Sequence, residues 1–404
     1  MEKTKEKTKA GHREFVMLMA VLMSVVAISI DAMLPALGFI RDDLGVSHPN
    51  HGQYIVGIIF AGMAIGQLIN GVLSDAFGRK KILYVSLTMY FIGSIICVFA
   101  NSLSIMLVGR FIQGIGVSGP YISVMSIIRD RYSGREMARI MSLVLTIFIM
   151  IPVIAPAVGQ LILFFASWRY IFVMYVIYSI SVGLWVYFRL EETLIPENRV
   201  PCRIANITHG VKTVLSNRVT LCYTLALGCI FGALNGELNS VQQIFQVQYK
   251  VGDMFAVYFG LQALAFGAAS FVNYRLVDRF GMRYLCIFAT SFIVFISLSF
   301  LILIAITDAT FIMYFLYGMF LLFSIGILFG NLNAIAMEPM GHIAGMASAI
   351  IGCISTIIGI LFGTVIGQMY DGSLTPIIAG FFVMGNIALI IMLYENRKEK
   401  ILIR

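Results

Sequence analysis

A charged turn separates two long apolar runs and reads Gly71-Val72-Leu73-Ser74-Asp75-Ala76-Phe77-Gly78-Arg79-Lys80-Lys81. This turn has a second copy 203 positions further on, in which five residues recur in type: Leu73, Asp75, Phe77, Gly78 and Lys80 return as Leu276, Asp278, Phe280, Gly281 and Arg283. The offset is close to half of the 404 residues. The sequence therefore predicts two homologous halves that each carry this loop.

The composition places these halves in a membrane. Hydrophobic residues make up 60% of the chain, charged residues make up only 12%, and the mean hydropathy is +0.93. Soluble domains carry roughly 25% charged residues. A chain with so few charges lacks a hydrophilic coat, so its outer surface is expected to face lipid.

Apolar runs of about 18 residues or more recur along the chain, and about 20 residues cross the hydrocarbon core as a helix. The first run is too long for the apolar region of a signal peptide, so we expect it to be retained. The predicted fold class is an all-α membrane protein with twelve transmembrane helices in two pseudo-symmetric six-helix bundles. The twelve predicted helices are 14–38, 53–73, 82–100, 104–126, 138–163, 168–188, 217–246, 253–274, 284–306, 311–337, 343–368 and 375–394.

The basic residues predict the orientation. If the N-terminus is cytoplasmic, 24 of the 28 Lys and Arg residues fall on the cytoplasmic side, and the outer loops hold only Arg41, Arg169 and Lys250. This bias follows the positive-inside rule, so both termini are predicted to be cytoplasmic. The basic residues are expected to meet anionic lipid head groups, because no basic face with interleaved aromatic residues indicates nucleic-acid binding.

The hydrophilic segment 189–216 is interpreted as a linker between the two bundles, and an amphipathic surface helix within 203–215 is compatible with its pattern. The predicted domains are a cytoplasmic tail at 1–13, an N-terminal bundle at 14–188, the linker at 189–216, a C-terminal bundle at 217–394 and a second cytoplasmic tail at 395–404.

No residue pattern indicates enzyme, metal or disulfide chemistry. Five of the six cysteines lie in apolar runs and Cys202 lies in the linker, without a CxxC motif, so they are interpreted as small apolar residues. The five histidines fall in loops or at helix ends and form no cluster with cysteines or carboxylates. We therefore expect no catalytic residue, no cofactor and no metal.

Three ionisable residues fall well inside apolar runs, namely Asp31, Arg110 and Glu237. An ionised side chain at mid-membrane costs at least ~2.5–3.5 kcal/mol, so such a residue needs a polar cavity, a partner or a proton. Pro35 lacks an N–H and frees the carbonyl of Asp31, which predicts a kink beside this carboxylate. Asp31 is predicted as a proton or substrate site, and the alternative is that it reaches water at the outer interface. Arg110 is predicted to influence the protonation of such an acid, and the alternative is a structural ion pair with a carboxylate.

The seventh predicted helix carries amide side chains on one face, which suits a water-filled substrate cavity, whereas adhesion between helices is the alternative. Glu237 lies about 200° around an ideal helix from Asn235. Either Gly236 breaks the helix and redirects Glu237, or Glu237 serves another surface; in both cases we predict a substrate or proton role. The predicted cavity residues are Asn235, Asn239, Gln242, Gln243, Tyr54, Tyr121 and Asn333.

The repeated turn predicts a charged latch that closes the cytoplasmic side in one state, and a topology anchor at the head groups is the alternative. The predicted gate residues are Gly71, Asp75, Gly78, Arg79 and Asp278. In the fifth predicted helix, Pro152 and Pro156 each remove a backbone hydrogen bond. Together with Gly159 they predict a hinge, with a static bend as the alternative.

These motifs together resemble those of the major facilitator superfamily, whose signature loop is similar to the first charged turn. Arg110-Phe111-Ile112-Gln113-Gly114 is similar to the arginine motif of its drug:proton antiporters, and Ala155-Pro156-Ala157-Val158-Gly159 resembles their antiporter motif. Four further stretches resemble the bicyclomycin-resistance (Bcr/CflA) type: Asp31-Ala32-Met33-Leu34-Pro35-Ala36-Leu37, Arg129-Asp130-Arg131-Tyr132, Ser167-Trp168-Arg169-Tyr170-Ile171-Phe172 and Ala344-Gly345-Met346-Ala347-Ser348-Ala349.

The resemblance implies the major facilitator fold and proton-driven export of drugs or metabolites across the bacterial inner membrane. It implies that Asp31 is a proton and substrate site and that Arg110 influences the protonation of Asp31. The chain departs from the family pattern in two places. The antiporter motif has Ala155-Pro156 and Gly159-Gln160 where Gly-Pro and Gly-Gly are expected. The seventh helix is rich in amides, whereas it is apolar in relatives.

We predict a proton-coupled secondary transporter, an efflux antiporter that exports drugs or a polar metabolite by alternating access. The alternative is a proton-coupled importer or exporter of a specific polar solute such as a siderophore. The expected partners are a small-molecule substrate, protons and the lipid bilayer, without nucleic acid, and the protein is expected to be a monomer.

Overall fold

The computed structural model describes residues 11–199 and 204–402. The predicted tail residues 1–10, the linker residues 200–203 with Cys202, and residues 403–404 lie outside the described residues. The helices are α1 (His12–Asp31), α2 (Leu37–Asp43), α3 (Tyr54–Phe77), α4 (Arg79–Val98), α5 (Leu103–Arg131), α6 (Gly134–Phe165), α7 (Arg169–Arg189), α8 (Ile204–Ser216), α9 (Arg218–Gln242), α10 (Phe255–Phe280), α11 (Met282–Ile306), α12 (Phe311–Met337), α13 (Ala344–Gln368) and α14 (Thr375–Leu402).

Within the described ranges, twelve helical spans are long and apolar enough to cross a membrane, which confirms the predicted number. The short α2 continues the span of α1, and α8 is the surface helix that the linker pattern allowed. We call the membrane face where α1 begins the tail face and the opposite face the outer face, after the orientation that the basic residues predict.

Two spans are interrupted at their outer ends. The first crossing stops being α-helical at Asp31, passes through a 3₁₀ turn at Leu34–Ala36 and resumes as α2, as the missing N–H of Pro35 predicts. The seventh crossing ends in a π-helical turn, Gln243–Gln248, after α9. Such wide turns occur mostly in short pieces and often at functional sites.

The two charged turns adopt the same backbone form. Gly78 joins α3 to α4 with φ of 111°, and Gly281 joins α10 to α11 with φ of 78°. Only glycine enters this region without strain, so each turn requires glycine at the same place. The backbone therefore repeats at the offset seen in the sequence.

The helices pack as two groups, which we call the N-terminal half (α1–α7) and the C-terminal half (α9–α14). In the N-terminal half, α5 packs against α3 and α4; in the C-terminal half, α9 packs against α13 and α14. The halves meet along α3 with α13 and along α6 with α10. These two helix pairs form the main part of the interface, and α9 also contacts α3.

Glycine rows bring α9 and α13 close together. Each helix carries glycine at every fourth position, Gly228, Gly232 and Gly236 on α9 and Gly359, Gly363 and Gly367 on α13. A Cβ placed on Gly232 would lie 3.0 Å from Cβ of Phe362, so the two backbones approach as closely as membrane helices with small residues do. This contact fixes the direction in which α9 presents its polar residues.

Candidate functional site

Carboxamide side chains from both halves bond to one another at the outer face. Gln53 Nε2 donates to Gln243 Oε1 at 2.7 Å, and Gln243 Nε2 donates to Asn50 Oδ1 at 3.2 Å. Asn50 Nδ2 donates to the carbonyl oxygens of Tyr370 at 2.7 Å and of Gln368 at 3.1 Å. These bonds join the start of α3 to the outer ends of the seventh and eleventh crossings.

Further bonds complete the same cluster. Gln368 Nε2 donates to the carbonyl of Asn50 at 2.8 Å, and Gln53 Nε2 lies 3.4 Å from Ser240 Oγ. Asn50, Gln53 and Gln243 are all buried, and the cavity among their neighbours measures about 10 Å³, room for about one water. We call this cluster the outer seal: Asn50, Gln53, Ser240, Gln243, Gln368 and the carbonyl of Tyr370.

The predicted cavity residues are not gathered in one place. Gln243 belongs to the outer seal, Gln242 Nε2 donates to Gln246 Oε1 at 2.8 Å, and Asn239 Nδ2 lies 3.4 Å from the carbonyl of Gly363 on α13. Asn235 is buried against α13, and neither of its amide atoms has a hydrogen-bond partner among the described residues.

The other three predicted cavity residues lie on three different helices. Tyr54 stacks on His51 at the outer end of α3, with ring centroids 5.5 Å apart. Tyr121 on α5 and the exposed Asn333 on α12 lie on the tail side of their helix midpoints. The assignment of these residues to a substrate cavity stays a prediction.

Asp31 is the last residue of α1, where the first crossing is interrupted. Its side chain is buried, with 7% of the residue exposed, and the described residues offer it no hydrogen bond or ion pair. The alternative that Asp31 reaches outer water is therefore not what the structure shows. A Cβ on Gly159 would collide with the carbonyl oxygen of Ala32, so α6 packs directly against this interruption.

Prolines 152 and 156 lie inside the uninterrupted α6. The structure thus gives Gly159 a packing role against the first crossing, and the hinge assigned to Pro152, Pro156 and Gly159 stays a prediction.

Arg110 is fully buried on α5 and binds the backbone of two neighbouring spans. Its Nη1 donates to the carbonyl of Ser29 at 3.0 Å and to Gln113 Oε1 at 2.9 Å, and its Nε donates to the carbonyl of Ile55 at 3.1 Å. No carboxylate in the described ranges pairs with it, so the structural ion pair that the sequence left open is wrong. The guanidinium instead binds the carbonyl of Ser29, which precedes Asp31 by two residues in the chain.

Glu237 lies on an unbroken part of α9, because the helix continues through Gly236 to Gln242. Of the two alternatives that the sequence allowed, the break at Gly236 is wrong, and Glu237 serves another surface. Tyr314 of α12 donates its hydroxyl to Glu237 Oε1, while Oε2 has no partner among the described residues. Glu237 is therefore buried within the C-terminal half.

The predicted gate residues at the tail face form a charged network inside the N-terminal half. Arg79 is buried, pairs with Asp75, and reaches Asp130 Oδ2 at 3.1 Å. Glu192, after α7, accepts the backbone N–H of Arg79 at 2.9 Å. Asp75 also faces the start of α13, since a Cβ on Gly345 would lie 3.3 Å from Asp75 Oδ2, and a helix N-terminus favours a negative charge.

The second charged turn uses other residues. Asp278 is exposed and has no ion pair with any described residue. Arg283 instead lies 3.6 Å from Glu395 and 4.0 Å from Glu338, and Arg218 lies 3.4 Å from Glu395. Glu192 and Glu395 are not among the predicted gate residues, although the same 203 positions separate them as separate the two turns, so the repeat itself marks them.

Phenylalanines connect the halves between the two faces. The ring of Phe60 on α3 is 5.4 Å from that of Phe231 on α9, Phe231 is 6.0 Å from Phe329 on α12, and Phe329 is 6.3 Å from Phe266 on α10. No sequence pattern marks this aromatic chain, because a phenylalanine in an apolar helix carries no positional signal.

Cysteines and metal-binding residue types add no further site within residues 11–199 and 204–402. There, no group of three or more His, Cys, Asp or Glu side chains is placed to hold a metal ion. Cys97, Cys229 and Cys286 are buried as free thiols, and Cys222 and Cys353 are partly buried. The described cysteines therefore behave as small core residues.

Comparisons with known proteins agree with this architecture. The family model of the Major Facilitator Superfamily matches residues 19–364. The "Bicyclomycin resistance protein homolog" of Haemophilus influenzae is 27% identical over 92% of each chain, and the "Multidrug resistance protein MdtL" of Klebsiella pneumoniae is 31% identical over 80% of each chain. The solved xylose transporter XylE from E. coli, in a partially occluded inward open conformation, superposes with a TM-score of 0.72 at 14% identity, covering 95% of this chain and 98% of that one.

Proposed function

Because the chain belongs to the Major Facilitator Superfamily, we propose that it is a proton-coupled antiporter that exports drug-like molecules across the bacterial inner membrane by alternating access. The names of its relatives, which concern bicyclomycin and multidrug resistance, support export of drugs. We further propose that it acts as a monomer in the lipid bilayer and moves its substrate without chemical conversion.

The observation that carries the proposal is the site of Asp31. A carboxyl group is buried where the first crossing is interrupted, without a cationic partner among the described residues, and Arg110 is fixed on the carbonyl of Ser29 beside it. An intramembrane acid in such a place is retained when it exchanges a proton or binds a substrate. Arg110 is proposed to influence the protonation of Asp31 from its position on the carbonyl of Ser29.

The proposed cycle uses this exchange. A proton from the outside reaches Asp31, removes its negative charge and weakens its grip on the substrate, so the emptied carrier turns toward the tail face. There the proton leaves and a new substrate molecule binds. The approach of Asp75 to the start of α13 and the prolines inside α6 are proposed to accompany this movement.

The aromatic chain supports a substrate with a large apolar surface. Phe60, Phe231, Phe266 and Phe329 offer ring faces and edges to both halves, and aromatic side chains bind flat apolar groups well. The polar-solute alternative depended on the amide face of α9, but Gln243 from that face is engaged in the outer seal. That observation therefore no longer favours a polar substrate over a drug.

The test is Asp31→Asn in proteoliposomes with an acid interior, with uptake of the lipophilic aromatic dye ethidium as the readout. We expect gradient-driven uptake to fall about tenfold or more, because the variant cannot exchange a proton at this position. The matched control is Asp42→Asn, since Asp42 belongs to the same span but is exposed and paired with Arg41 at 2.6 Å. Full gradient-driven uptake by the Asp31 variant would reject the proposal.

A further inference from the structure

We propose that Glu237 and Tyr314 form a second proton site that controls the outer seal, so that the seal closes when Glu237 carries a proton. The proposal rests on the proposed proton-coupled transport and adds a link between one acid and one gate. In the cycle proposed above, Asp31 governs substrate binding, whereas Glu237 governs whether the outer face is shut.

The first support is the unequal surroundings of the two carboxyl oxygens of Glu237. Oε1 accepts a hydrogen bond from the hydroxyl of Tyr314, while Oε2 is buried without a partner among the described residues. A buried polar oxygen without a hydrogen bond is unfavourable, and a buried negative charge without a partner is far more so. Adding a proton to Oε2 removes that charge and leaves the bond from Tyr314 in place.

The second support is the chemistry of the groups that face Glu237. The titratable neighbours are phenols: Tyr314 and Tyr317 from α12, and Tyr370 from the segment after α13. Phenols ionise near pH 10 in general, so they stay neutral at the pH at which bacteria live. No described Lys, Arg or His forms an ion pair with Glu237, so nothing in its described surroundings stabilises a carboxylate except the hydroxyl of Tyr314.

The third support is the short connection between Glu237 and the outer seal. Ser240 on α9 and Gln243 at the start of the π-helical turn follow Glu237 in the same crossing by about one and two turns, and both belong to the seal. The ring of Tyr314 stacks on Tyr249, 6.1 Å away, at the end of the π-helical turn. A shift of α9 that opens the seal therefore also changes the surroundings of the Glu237–Tyr314 pair.

Tyr370 makes the same connection from the other side. Its carbonyl accepts Asn50 Nδ2 in the seal, and its hydroxyl donates to Gln248 Oε1 at 2.9 Å, on the π-helical turn. The pair of Glu237 and Tyr314 is thus connected through the π-helical turn and Tyr370 to the C-terminal side of the outer seal.

The direction of the effect follows from these contacts. With the seal closed, water is excluded from Oε2, and the protonated carboxyl is the favoured form. With the seal open, outer water reaches Oε2 and the carboxylate is favoured. A state that binds a proton more tightly gains population as the pH falls, so acidification is expected to close the outer seal.

The experiment measures the outer opening directly in the full chain in lipid nanodiscs. Spin labels are placed on Ser47→Cys in the first outer loop and on Met369→Cys after α13, both exposed positions on opposite halves, with the native cysteines replaced by alanine. The ratio of short to long inter-label distances is recorded between pH 8.5 and 5.5. With Glu237 and Tyr314 unchanged, we expect the ratio of short to long distances to rise about tenfold or more as the pH falls over this range, because closure is linked to the uptake of one proton.

Two variants decide the proposal. Glu237→Gln imitates the protonated acid, so the short distance should dominate at every pH. The ratio of short to long distances should then change by less than about twofold over the pH range. Tyr314→Phe removes the donor to Oε1, makes the carboxylate less favourable and should move closure to a higher pH. The matched control is Tyr317→Phe, whose hydroxyl lies 2.9 Å from Ser297 Oγ, and it should behave like the unmodified protein.

The outcomes separate the inference from the proposed function. If Glu237→Gln keeps the full pH response, the inference is overturned; if that variant does not fold, an unchanged closure pH in Tyr314→Phe overturns it equally. Asp31→Asn should keep the pH response of the seal while losing gradient-driven uptake. Full uptake by Asp31→Asn contradicts the proposed function, whatever the seal does.

Discussion

The interface between the halves is built differently at its two ends. At the outer face, neutral amides of both halves bond to each other, as Gln53 does with Gln243. At the tail face, the ion pairs lie within each half: Arg79 pairs with Asp130, and Arg283 pairs with Glu395. Asp75 of the Arg79 network also faces the start of α13 across the interface.

This difference suggests a division of work between the two ends. A neutral hydrogen bond adds only about 0.5–1.5 kcal/mol net, so a set of such bonds can break and reform during a cycle. Breaking a buried ion pair costs about 3–5 kcal/mol, which suits contacts that keep a half intact. We therefore interpret the outer seal as a moving gate and the Arg79 and Arg283 networks mainly as the frame of each half.

The largest expected effect comes from Arg79→Met, which removes the cation between Asp75 and Asp130. Because the Arg79 side chain is only 5% exposed, we expect the free energy of unfolding to fall by about 2–4 kcal/mol, measured by denaturation in detergent. The label distance across the outer seal should not change. Arg189→Met is the control, since its pair with Glu14 lies on the same face of the same half but is exposed, and it should lower the free energy of unfolding far less than Arg79→Met does.

If Arg79→Met shifts the spin-label distance across the outer seal as far as Asn50→Ala does, the interpretation of the Arg79 network as a frame and of the outer seal as the moving gate is contradicted. Such a shift would mean that the tail network and the outer seal respond as one unit.

The spans themselves could be predicted because length and hydropathy are local properties of the sequence. The tenth predicted helix, 311–337, coincides with α12, Phe311–Met337, and Pro35 correctly marked the interruption of the first span. Asp31, Arg110 and Glu237 were found for the same reason, since a charge inside an apolar run is visible without a structure.

The partners of these residues could not be predicted. Arg110 binds the carbonyls of Ser29 and Ile55, and no sequence pattern marks a backbone acceptor. Asn50 lies in a segment that the sequence assigns to an outer loop, and Gln53 lies at the edge of a span. Their partners are more than 180 positions away, so only the packing of the two halves reveals the outer seal.

An intermediate effect is expected from Asn50→Ala, which removes both the donor to Tyr370 and the acceptor for Gln243. Several buried bonds across the halves are lost, so the balance between closed and open outer faces should shift toward open by about 1–3 kcal/mol, read from the spin-label distances. Asn101→Ala is the control, because Asn101 is exposed in another outer loop and should leave the distances unchanged. An unchanged distance distribution in Asn50→Ala would mean that the outer seal does not act as a gate.

The smallest effect is expected from Gln160→Ala, which tests whether burial gives the outer seal its strength. Gln160 Nε2 also bonds across the halves at the outer end, to Asp253 Oδ1 at 3.3 Å, but this bond is exposed to solvent. Water replaces an exposed bond at little cost, so the same distance measurement should shift by less than about 0.5 kcal/mol. If Gln160→Ala opens the outer face as far as Asn50→Ala does, then the number of bonds across the interface, and not their burial, holds it shut. In that case Glu237 would not be the residue that controls the outer opening, because a solvent-exposed bond outside its surroundings would control the same opening.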